Sequence, residues 1–307
     1  MPRCDPKHLL NTLSIVLGNE AAKQELKWMQ QAIHPKSVTL QDMVARRVRG
    51  EPLQYILGTQ PFGPLTLFTR PPVLIPRPET EHWSLTLADR LRPSPQKPIS
   101  LLDLCTGSAC IPLLLCHLSP PGSINACGVD ISQDAISLAR DNAAHCRIPL
   151  PEESSTPSTA ESPLRNTFLP LLADIRSPDF LNSASLRRRL PFDVITSNPP
   201  YIPRADYDRL SPSVKDYEDI RALLGDPDPE IPSNNGLTFY HDIAKLLPDL
   251  LADDGLVAVE VGEGQAADVR WIFEQEGGLV DTEIWTDPWE KERVVLGHKK
   301  PQGSSKA

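Results

Sequence analysis

The sequence predicts an α/β fold in which a parallel sheet of seven strands is covered by crossover helices. A small helical domain and a hairpin connector come before the sheet. Two observations predict the sheet. From residue 99 onward, short apolar runs alternate with stretches of helical periodicity, a pattern typical of parallel strands joined by helices. Those runs are continuous rather than alternating with polar residues, as in strands buried on both faces.

Residues 1–58 are predicted to form the small helical domain. Its apolar residues cluster or recur at helical spacing; they are Leu9, Leu10, Leu13, Ile15, Leu17, Leu26, Met29 and Ile33. Residues 59–80 differ, because glycines and prolines interrupt short apolar runs at 65–68 and 73–75. This punctuation predicts a short hairpin and a connector rather than a helix.

The sheet domain is predicted to span residues 81–300, with a tail at 301–307. Its strands are predicted at 100–104, 124–130, 168–174, 192–197, 256–261, 282–285 and 293–297. Its helices are predicted at 108–118, 134–145, 238–251 and 265–276. Residues 148–167 break the alternation, because they are rich in Ser, Pro, Thr and Glu and cannot bury a core. We therefore expect a disordered insertion before the third strand.

The composition argues against several classes of protein. The chain has 31 basic and 40 acidic residues, so it lacks the basic excess that holding duplex nucleic acid requires. Residues 187–189 form a short basic run, which we interpret as solvated surface. The six cysteines form no Cys-x-x-Cys pair, and we expect no bound metal. No apolar run approaches the ~20 residues that span a bilayer, so we expect no membrane contact.

A first motif lies where a predicted strand runs through a tight turn into a helix. The segment reads Leu-Leu-Asp-Leu-Cys-Thr-Gly-Ser-Ala-Cys at 101–110. Such a turn directs backbone N–H groups toward a ligand at the start of the helix. Asp130 ends the next strand, where a carboxylate can accept hydrogen bonds from both hydroxyls of a ribose. Together these features predict a nucleoside-containing cofactor.

A second motif, Asn198-Pro199-Pro200-Tyr201, follows the strand predicted at 192–197. Ligands bind at the carboxyl ends of parallel strands. The Asn198 amide oxygen and the Pro199 carbonyl can accept both hydrogens of one NH2 group, and the Tyr201 ring can stack on a flat group. This arrangement predicts methylation of a planar nitrogen. The alternative is that Asn-Pro-Pro is only a turn in a chain that has 33 prolines.

These segments resemble the protein-glutamine methyltransferases that modify peptide chain release factors. The resemblance covers about residues 49 to 299. It rests on the cofactor turn and on the segments 50–58, 74–81, 197–202, 235–237, 260–262 and 293–297. The tetrapeptide at 198–201 is shared with adenine-amino and guanine-amino methyltransferases. The Arg-Pro-Glu-Thr-Glu segment at 77–81 is much more specific to the release-factor group.

The resemblance implies a seven-stranded class I, Rossmann-like methyltransferase that uses S-adenosylmethionine. The implied target is the glutamine of a Gly-Gly-Gln motif in a release factor, which the N-terminal helical domain helps to dock. We expect a monomer. Catalysis is implied for Asn198, Pro199 and Tyr201. Cofactor binding is implied for Cys105, Thr106, Gly107, Ser108, Ala109, Asp130, Asp174, Ile175 and Asn198. Substrate binding is implied for Asn198, Pro199, Pro200, Tyr201, Arg77 and Glu79.

The chain departs from the family pattern at a few positions. Cys105 and Ala109 stand where the bacterial pattern has glycine, and the Ala109 methyl is expected to lie close to the cofactor. Ile175 replaces an aromatic residue that often follows the acid beside the adenine. Cys105 and the insertion resemble the eukaryotic organellar branch, so we expect a mitochondrial protein, with the cytoplasm as the alternative.

Two other functions remain open at this stage. One is a DNA or rRNA amino-group methyltransferase that uses the same tetrapeptide; the acidic charge and the segment at 77–81 argue against it. The other is a non-enzymatic binding module with a methyltransferase-like fold, which only Cys105 and Ala109 support. Calorimetry with S-adenosylmethionine distinguishes the binding module from an enzyme.

Overall fold

The N-terminal part of the computed structural model is helical. The structure describes residues 6–32, 38–151, 165–228 and 234–301. The first four helices are α1 (Pro6–Leu17), α2 (Asn19–Ala32), α3 (Leu40–Val48) and α4 (Leu53–Leu57). Their buried side chains, among them Leu13 and Met29, form one apolar cluster. Ile15 is 86% exposed and so lies outside that core. Ile33 lies outside the described residues.

A two-stranded hairpin and an unpredicted helix follow. Strand β1 (Thr59–Phe62) pairs antiparallel with β2 (Leu65–Phe68). The second predicted apolar run, 73–75, belongs to the connector, where neighbouring prolines lack the N–H donor that strand pairing needs. Helix α5 (Pro78–Leu91) then begins with proline at its first position, where the missing N–H costs nothing. The sequence patterns did not predict helix α5, and the domain boundary predicted between residues 80 and 81 falls inside it.

The predicted sheet of seven strands is confirmed. Its strands are β3 (Ile99–Leu104), β4 (Ile124–Asp130), β5 (Thr167–Leu172), β6 (Phe192–Ser197), β7 (Leu251–Glu260), β8 (Leu279–Thr286) and β9 (Glu292–Lys299). The order across the sheet is β5-β4-β3-β6-β7-β9-β8. The pairs from β5 to β7 are parallel, whereas β9 is antiparallel to both its neighbours. The fold is the Rossmann-like α/β class that the sequence predicts.

Helices cover both faces of this sheet. They are α6 (Cys110–Leu118), α7 (Gln133–His145), α11 (Thr238–Leu250) and α12 (Ala266–Gln275), with short helices α8 (Ala184–Arg187), α9 (Arg204–Tyr207) and α10 (Pro212–Lys215) between them. Consecutive strand residues point to opposite faces. Leu101 accordingly packs in the core beneath α5 and α6, whereas Leu102 packs in the core beneath α11 and α12.

The predicted disordered insertion at 148–167 is too wide at both ends. Ile148 is buried, and the Phe168 N–H donates to the carbonyl of Pro149. The buried Asn166 side chain accepts hydrogen bonds from the N–H groups of Ser123 and Ile124. These contacts fix the chain on both sides, because buried polar groups must be hydrogen-bonded. Residues 152–164 lie outside the described residues.

In the described parts of the chain, no helix combines the length and the apolarity needed to cross a membrane. The same residues contain no group of three or more His, Cys, Asp or Glu side chains that could hold a metal ion. Burial raises the pKa of the Cys116 thiol to about 12, which keeps this thiol neutral.

Candidate active site

The candidate site lies along the carboxyl edge of the parallel strands. The strand order reverses between β3 and β6, which are neighbours in the sheet although β4 and β5 separate them in sequence. Ligands bind at such a switch point. Across the edge from β5 to β7 lie Asp174, Asp130, the turn at 105–109, the motif at 198–201, and Glu260. With about 4.8 Å between strands, this row is about 19 Å long.

The turn after β3 is tight and left-handed at three positions. Cys105, Gly107 and Ala109 have φ values of 57°, 54° and 64°. The Thr106 N–H donates to the carbonyl of Val129, and the Ala109 N–H donates to that of Thr106. Glycine adopts this conformation freely, whereas an L side chain costs roughly 1–2 kcal/mol. The glycines that the family pattern has at 105 and 109 therefore match the backbone geometry.

Asp103 ties this turn to β6 from beneath. Its carboxylate accepts hydrogen bonds from the hydroxyls of Thr106, at 2.6 Å, and Thr196, at 2.7 Å. Burial raises the pKa of Asp103 to about 7, although both threonine hydrogen bonds oppose the rise. Asp103 is fully buried, so it supports the turn and does not face a ligand.

Asp130 joins the turn to the start of α7. Its Oδ2 accepts the N–H of Gly107 at 2.8 Å, and its Oδ1 accepts the N–H of Ser132 at 2.9 Å. Burial raises its pKa, and these two hydrogen bonds oppose that effect. Each carboxylate oxygen accepts more than one hydrogen bond. Asp130 therefore keeps acceptor capacity for the hydroxyls of a ribose.

Three other predicted cofactor residues are more buried than the sequence suggested. Ala109 is fully buried and packs in the core beneath α5 and α6. Its methyl faces that core, so the expectation of a methyl beside the cofactor is wrong. Ser108 is also buried, and its carbonyl accepts a hydrogen bond from the Asn142 amide. Ile175 packs in the opposite core, which leaves Asp174 as the more accessible of that pair.

The motif after β6 lies beside the turn after β3. Leu104 and Ser197 are paired in the sheet register, so Cys105 and Asn198 follow neighbouring strand ends. Pro199 and Pro200 are buried, whereas Asn198 and Tyr201 are half-buried. The Asn198 Nδ2 donates to Thr80 Oγ1 at 3.1 Å. None of the described residues makes a hydrogen bond to Asn198 Oδ1, which is therefore an available acceptor.

Glu260 connects this motif to helix α5. Its Oε2 accepts hydrogen bonds from the Thr80 hydroxyl at 2.6 Å and the Trp83 indole N–H at 2.8 Å. Its Oε1 faces the Tyr201 hydroxyl at 3.4 Å. Burial raises the pKa of Glu260, and the hydrogen bonds from Thr80 and Trp83 oppose the rise. No role was predicted from the sequence for Thr80, Trp83 or Glu260.

The chain is similar in sequence to known proteins. No family model matches the chain. It is 35% identical over 299 residues to a release factor glutamine methyltransferase of Geobacter sulfurreducens, covering 91% of this chain and 90% of the relative. It is also 35% identical to one of Caulobacter vibrioides, covering 86% and 78%. The chain belongs to the release factor glutamine methyltransferase family.

Solved structures provide a second comparison. One similar structure is the release factor-specific protein-(glutamine-N5) methyltransferase of Alicyclobacillus acidocaldarius. Its TM-score is 0.41 at 22% identity, covering 74% of this chain and 95% of that one. Another is a methyltransferase of Pyrococcus furiosus, with a TM-score of 0.46 at 14% identity, covering 78% and 90%.

In this family member, Gln265 fixes the backbone of Tyr201. Its Nε2 donates to the carbonyls of Tyr201 and Asn235, and its Oε1 accepts the N–H of Gly262. Gly236 allows this packing, because a Cβ built there would lie 2.1 Å from the carbonyl oxygen of Tyr201. The segments at 235–237 and 260–262, which carried part of the resemblance, thus have a physical role. They hold Tyr201 in place.

The two predicted substrate residues on the connector and α5 differ in their surroundings. Arg77 pairs with the buried carboxylate of Glu218. Burial raises the pKa of Glu218, and the charge of Arg77 opposes the rise. Arg77 therefore holds the 212–225 segment against the connector and is only partly exposed. Glu79 lines a cavity of about 300 Å³ between α5 and strands β8 and β9, with Trp83, Trp285 and Arg293.

Proposed function

We propose that this chain transfers a methyl group from S-adenosylmethionine to the side-chain amide nitrogen of a glutamine in a peptide chain release factor. The proposed target is the glutamine of a Gly-Gly-Gln motif. Family membership supports the substrate class. One observation carries the chemistry: at the end of β6, one strand from the turn at 105–109, Asn198 presents an amide oxygen that accepts no hydrogen bond from the described residues.

The residues along the carboxyl edge fit the cofactor. Asp130 keeps acceptor capacity on both oxygens for a ribose, and Asp174 lies one strand away on the side proposed for adenine. The turn at 105–109 and Asn198 lie on the opposite side, where the methionine part would lie. When bound, the cofactor supplies an electrophilic methyl on a sulfonium. This order of groups supports a bound cofactor whose methyl lies next to the acceptor motif.

The acceptor motif holds the glutamine nitrogen. We propose that Asn198 Oδ1 and the Pro199 carbonyl accept its two hydrogens, while the Tyr201 ring packs on the flat amide. An amide nitrogen is a poor nucleophile because its lone pair is delocalised. Holding both hydrogens orients that lone pair toward the methyl, and proximity supplies much of the rate. With the cofactor bound, the nitrogen lone pair would form the new N–C bond as the S–C bond breaks and its electrons return to sulfur, and the methylated nitrogen would then lose one proton to water.

Mass spectrometry of a purified release factor tests this proposal. After incubation with the enzyme and S-adenosylmethionine, we expect one added methyl group on the Gly-Gly-Gln peptide. A release factor with that glutamine replaced by alanine is the matched control and should remain unmodified. Tritium-labelled cofactor offered with DNA and rRNA tests the competing activity, since the acceptor tetrapeptide is also used on nucleobases. Label found only in nucleic acid would overturn the proposal.

Partner and oligomeric state are part of the same proposal. We propose that the chain acts as a monomer on a protein substrate and contacts neither nucleic acid nor membrane. The formal net charge of −9 supports this, because phosphate backbones bind basic surfaces. Light scattering on the eluted protein should give the mass of one chain, and gel-shift assays with duplex DNA should show no complex. A dimer mass or a shifted band would contradict it.

We also propose that the chain is a eukaryotic, mitochondrial member of the family. Cys105 in the cofactor turn and the inserted segment before β5 support this assignment; the relatives described above are bacterial. Microscopy of a C-terminally tagged chain in eukaryotic cells should show overlap with a mitochondrial marker. A uniform cytoplasmic signal would favour the alternative location.

A further inference from the structure

A chain of hydrogen bonds runs from the core beneath α5 to the acceptor motif. The Trp83 indole N–H and the Thr80 hydroxyl both donate to Glu260 Oε2, at 2.8 and 2.6 Å. The Asn198 Nδ2 in turn donates to Thr80 Oγ1 at 3.1 Å. Thr80, Trp83 and Glu260 are each at most 2% exposed, so water does not compete for these bonds.

The chemistry of these groups fixes which atom donates and which accepts at each step of this chain of hydrogen bonds. An indole N–H only donates, so Glu260 Oε2 must accept. A proton on Glu260 would therefore sit on Oε1, and Oε2 remains an acceptor in either ionisation state. The single hydroxyl proton of Thr80 is then directed to Oε2. Thr80 Oγ1 can only accept from Asn198, which must present its NH2 group.

This direction matters because asparagine can turn its amide over easily. The χ2 torsion is broad and roughly two-fold, so the side chain itself hardly distinguishes the two orientations. With the NH2 on Thr80, Oδ1 of Asn198 faces the acceptor side. In the reversed orientation two NH2 groups would meet at the reacting nitrogen, and the hydrogen bond that holds it would be lost.

We propose that Thr80 and Glu260, with Trp83, are positioning residues that fix the Asn198 amide with its oxygen toward the substrate. The inference rests on the proposed function, because the substrate NH2 is the group that Oδ1 receives. None of these three residues touches the reacting atoms. Their effect on turnover passes through the orientation of one side chain.

Substitutions of Thr80 test the inference. Thr80→Val removes the hydroxyl at nearly constant volume, and we expect kcat to fall about tenfold or more, the equivalent of one lost hydrogen bond. The dissociation constant for S-adenosylmethionine should stay within about twofold. Thr80→Ser keeps the hydroxyl and should restore kcat to within about threefold. Ser84→Ala, which removes another buried hydroxyl on α5, is the matched control and should leave kcat unchanged.

A release factor carrying glutamate in place of the target glutamine provides a readout that general damage would not move. A carboxylate only accepts hydrogen bonds, so wild-type Asn198 Oδ1 disfavours it as an inhibitor. In Thr80→Val the amide is free to reverse and present NH2. We compare the inhibition constant of the glutamate release factor with the KM of the glutamine release factor. In Thr80→Val we expect the ratio of these two constants to fall at least about threefold, since a reversed amide gains one hydrogen bond to the carboxylate. If Thr80→Val changed neither this ratio nor kcat, the inference would be overturned.

Glu260→Gln gives a second test that does not depend on Thr80. Trp83 and Thr80 draw the new amide oxygen to the Oε2 position, so the direction of the chain is kept. We expect kcat within about threefold of wild type, because no hydrogen bond in the chain is lost. A fall in kcat as large as that expected for Thr80→Val would show that the charge of Glu260 matters rather than its hydrogen bonds. That result would overturn the role given to Glu260. If the wild-type enzyme does not methylate release factor, the proposed function fails first.

Discussion

The two halves of the candidate site are built differently. The cofactor corner, consisting of 105–109 and Asp130, is held mainly by backbone N–H groups and by residues close to it in sequence or on the next strand. The acceptor corner, consisting of 198–201 and Glu260, is held by side chains from α5 and by Gln265, which immediately precedes α12. One corner is a local turn, whereas the other is assembled from distant elements.

The difference reflects what each corner must provide. A nucleoside cofactor is recognised largely through backbone groups and one carboxylate at strand ends, which a strand–turn–helix unit supplies by itself. Orienting an amide for attack requires a fixed acceptor oxygen, and a side chain with a soft torsion is fixed only by its neighbours. We therefore expect substitutions in the cofactor corner to change affinity, and those in the acceptor corner to change turnover.

Asn198→Ala tests this difference between the two corners with the largest expected effect. It removes the acceptor oxygen, and we expect kcat to fall about 10²–10³-fold, as when one preorganised hydrogen-bonding group is lost elsewhere. The cofactor dissociation constant should change much less. Steady-state kinetics with release factor and calorimetry with S-adenosylmethionine measure both. Asn125→Ala, near the amino end of β4 and so at the opposite edge of the sheet from the site, is the control. Near wild-type turnover for Asn198→Ala would contradict the acceptor role.

Asp130→Ala should have the opposite effect, weakening cofactor binding more than it lowers turnover. Loss of charged hydrogen bonds costs about 1.5–3 kcal/mol, which corresponds to roughly 10–150-fold weaker cofactor binding. At saturating cofactor, kcat should be largely retained. Calorimetric titration gives the affinity, and Asp193→Ala on the opposite sheet edge serves as control. An unchanged dissociation constant would show that the ribose binds elsewhere.

Gly236→Ala sharpens the account of how Tyr201 is held. Its φ is +77°, and a new Cβ would collide with the Tyr201 carbonyl. Gly58 has nearly the same φ, +76°, with nothing within 4 Å of its Cβ position. Gly58→Ala therefore measures the backbone strain alone, about 1–2 kcal/mol. Chemical denaturation should show a larger loss for Gly236→Ala, accompanied by reduced turnover. Equal losses of stability for the two variants would mean that the close approach of residue 236 to the Tyr201 carbonyl is not important.

Asp103→Asn should change the pH dependence of stability. Burial raises the pKa of Asp103 to about 7, above its usual value near 3.8. The folded state therefore binds this proton more tightly, so its stabilising contribution is present at low pH and is lost as pH rises from about 4 to about 7. Denaturant unfolding across this range should show a smaller decline for Asp103→Asn than for wild type. Parallel curves would contradict the raised pKa.

Much of the sheet was predictable from the sequence. The predicted bounds of β4 and β6 match the structure, because both are short segments with apolar residues at their centre and turn-forming residues beyond their carboxyl ends. The predicted start of β7 was five residues late, since Asp253, Asp254 and Gly255 interrupt its apolar pattern. Helix α5 was missed because prolines before it dominated the local signal, and its first turn carries the residue that contacts Asn198.

The sequence by itself determined the sheet, the cofactor turn and the presence of an acceptor motif, because each depends on local periodicity or on residues adjacent in the chain. Only the tertiary structure decided which atom of Asn198 faces outward. Thr80 lies 118 residues from Asn198 and 180 residues from Glu260. Hydrogen bonds across such separations leave no periodic pattern, because they form only after the sheet order has brought α5, β6 and β7 together.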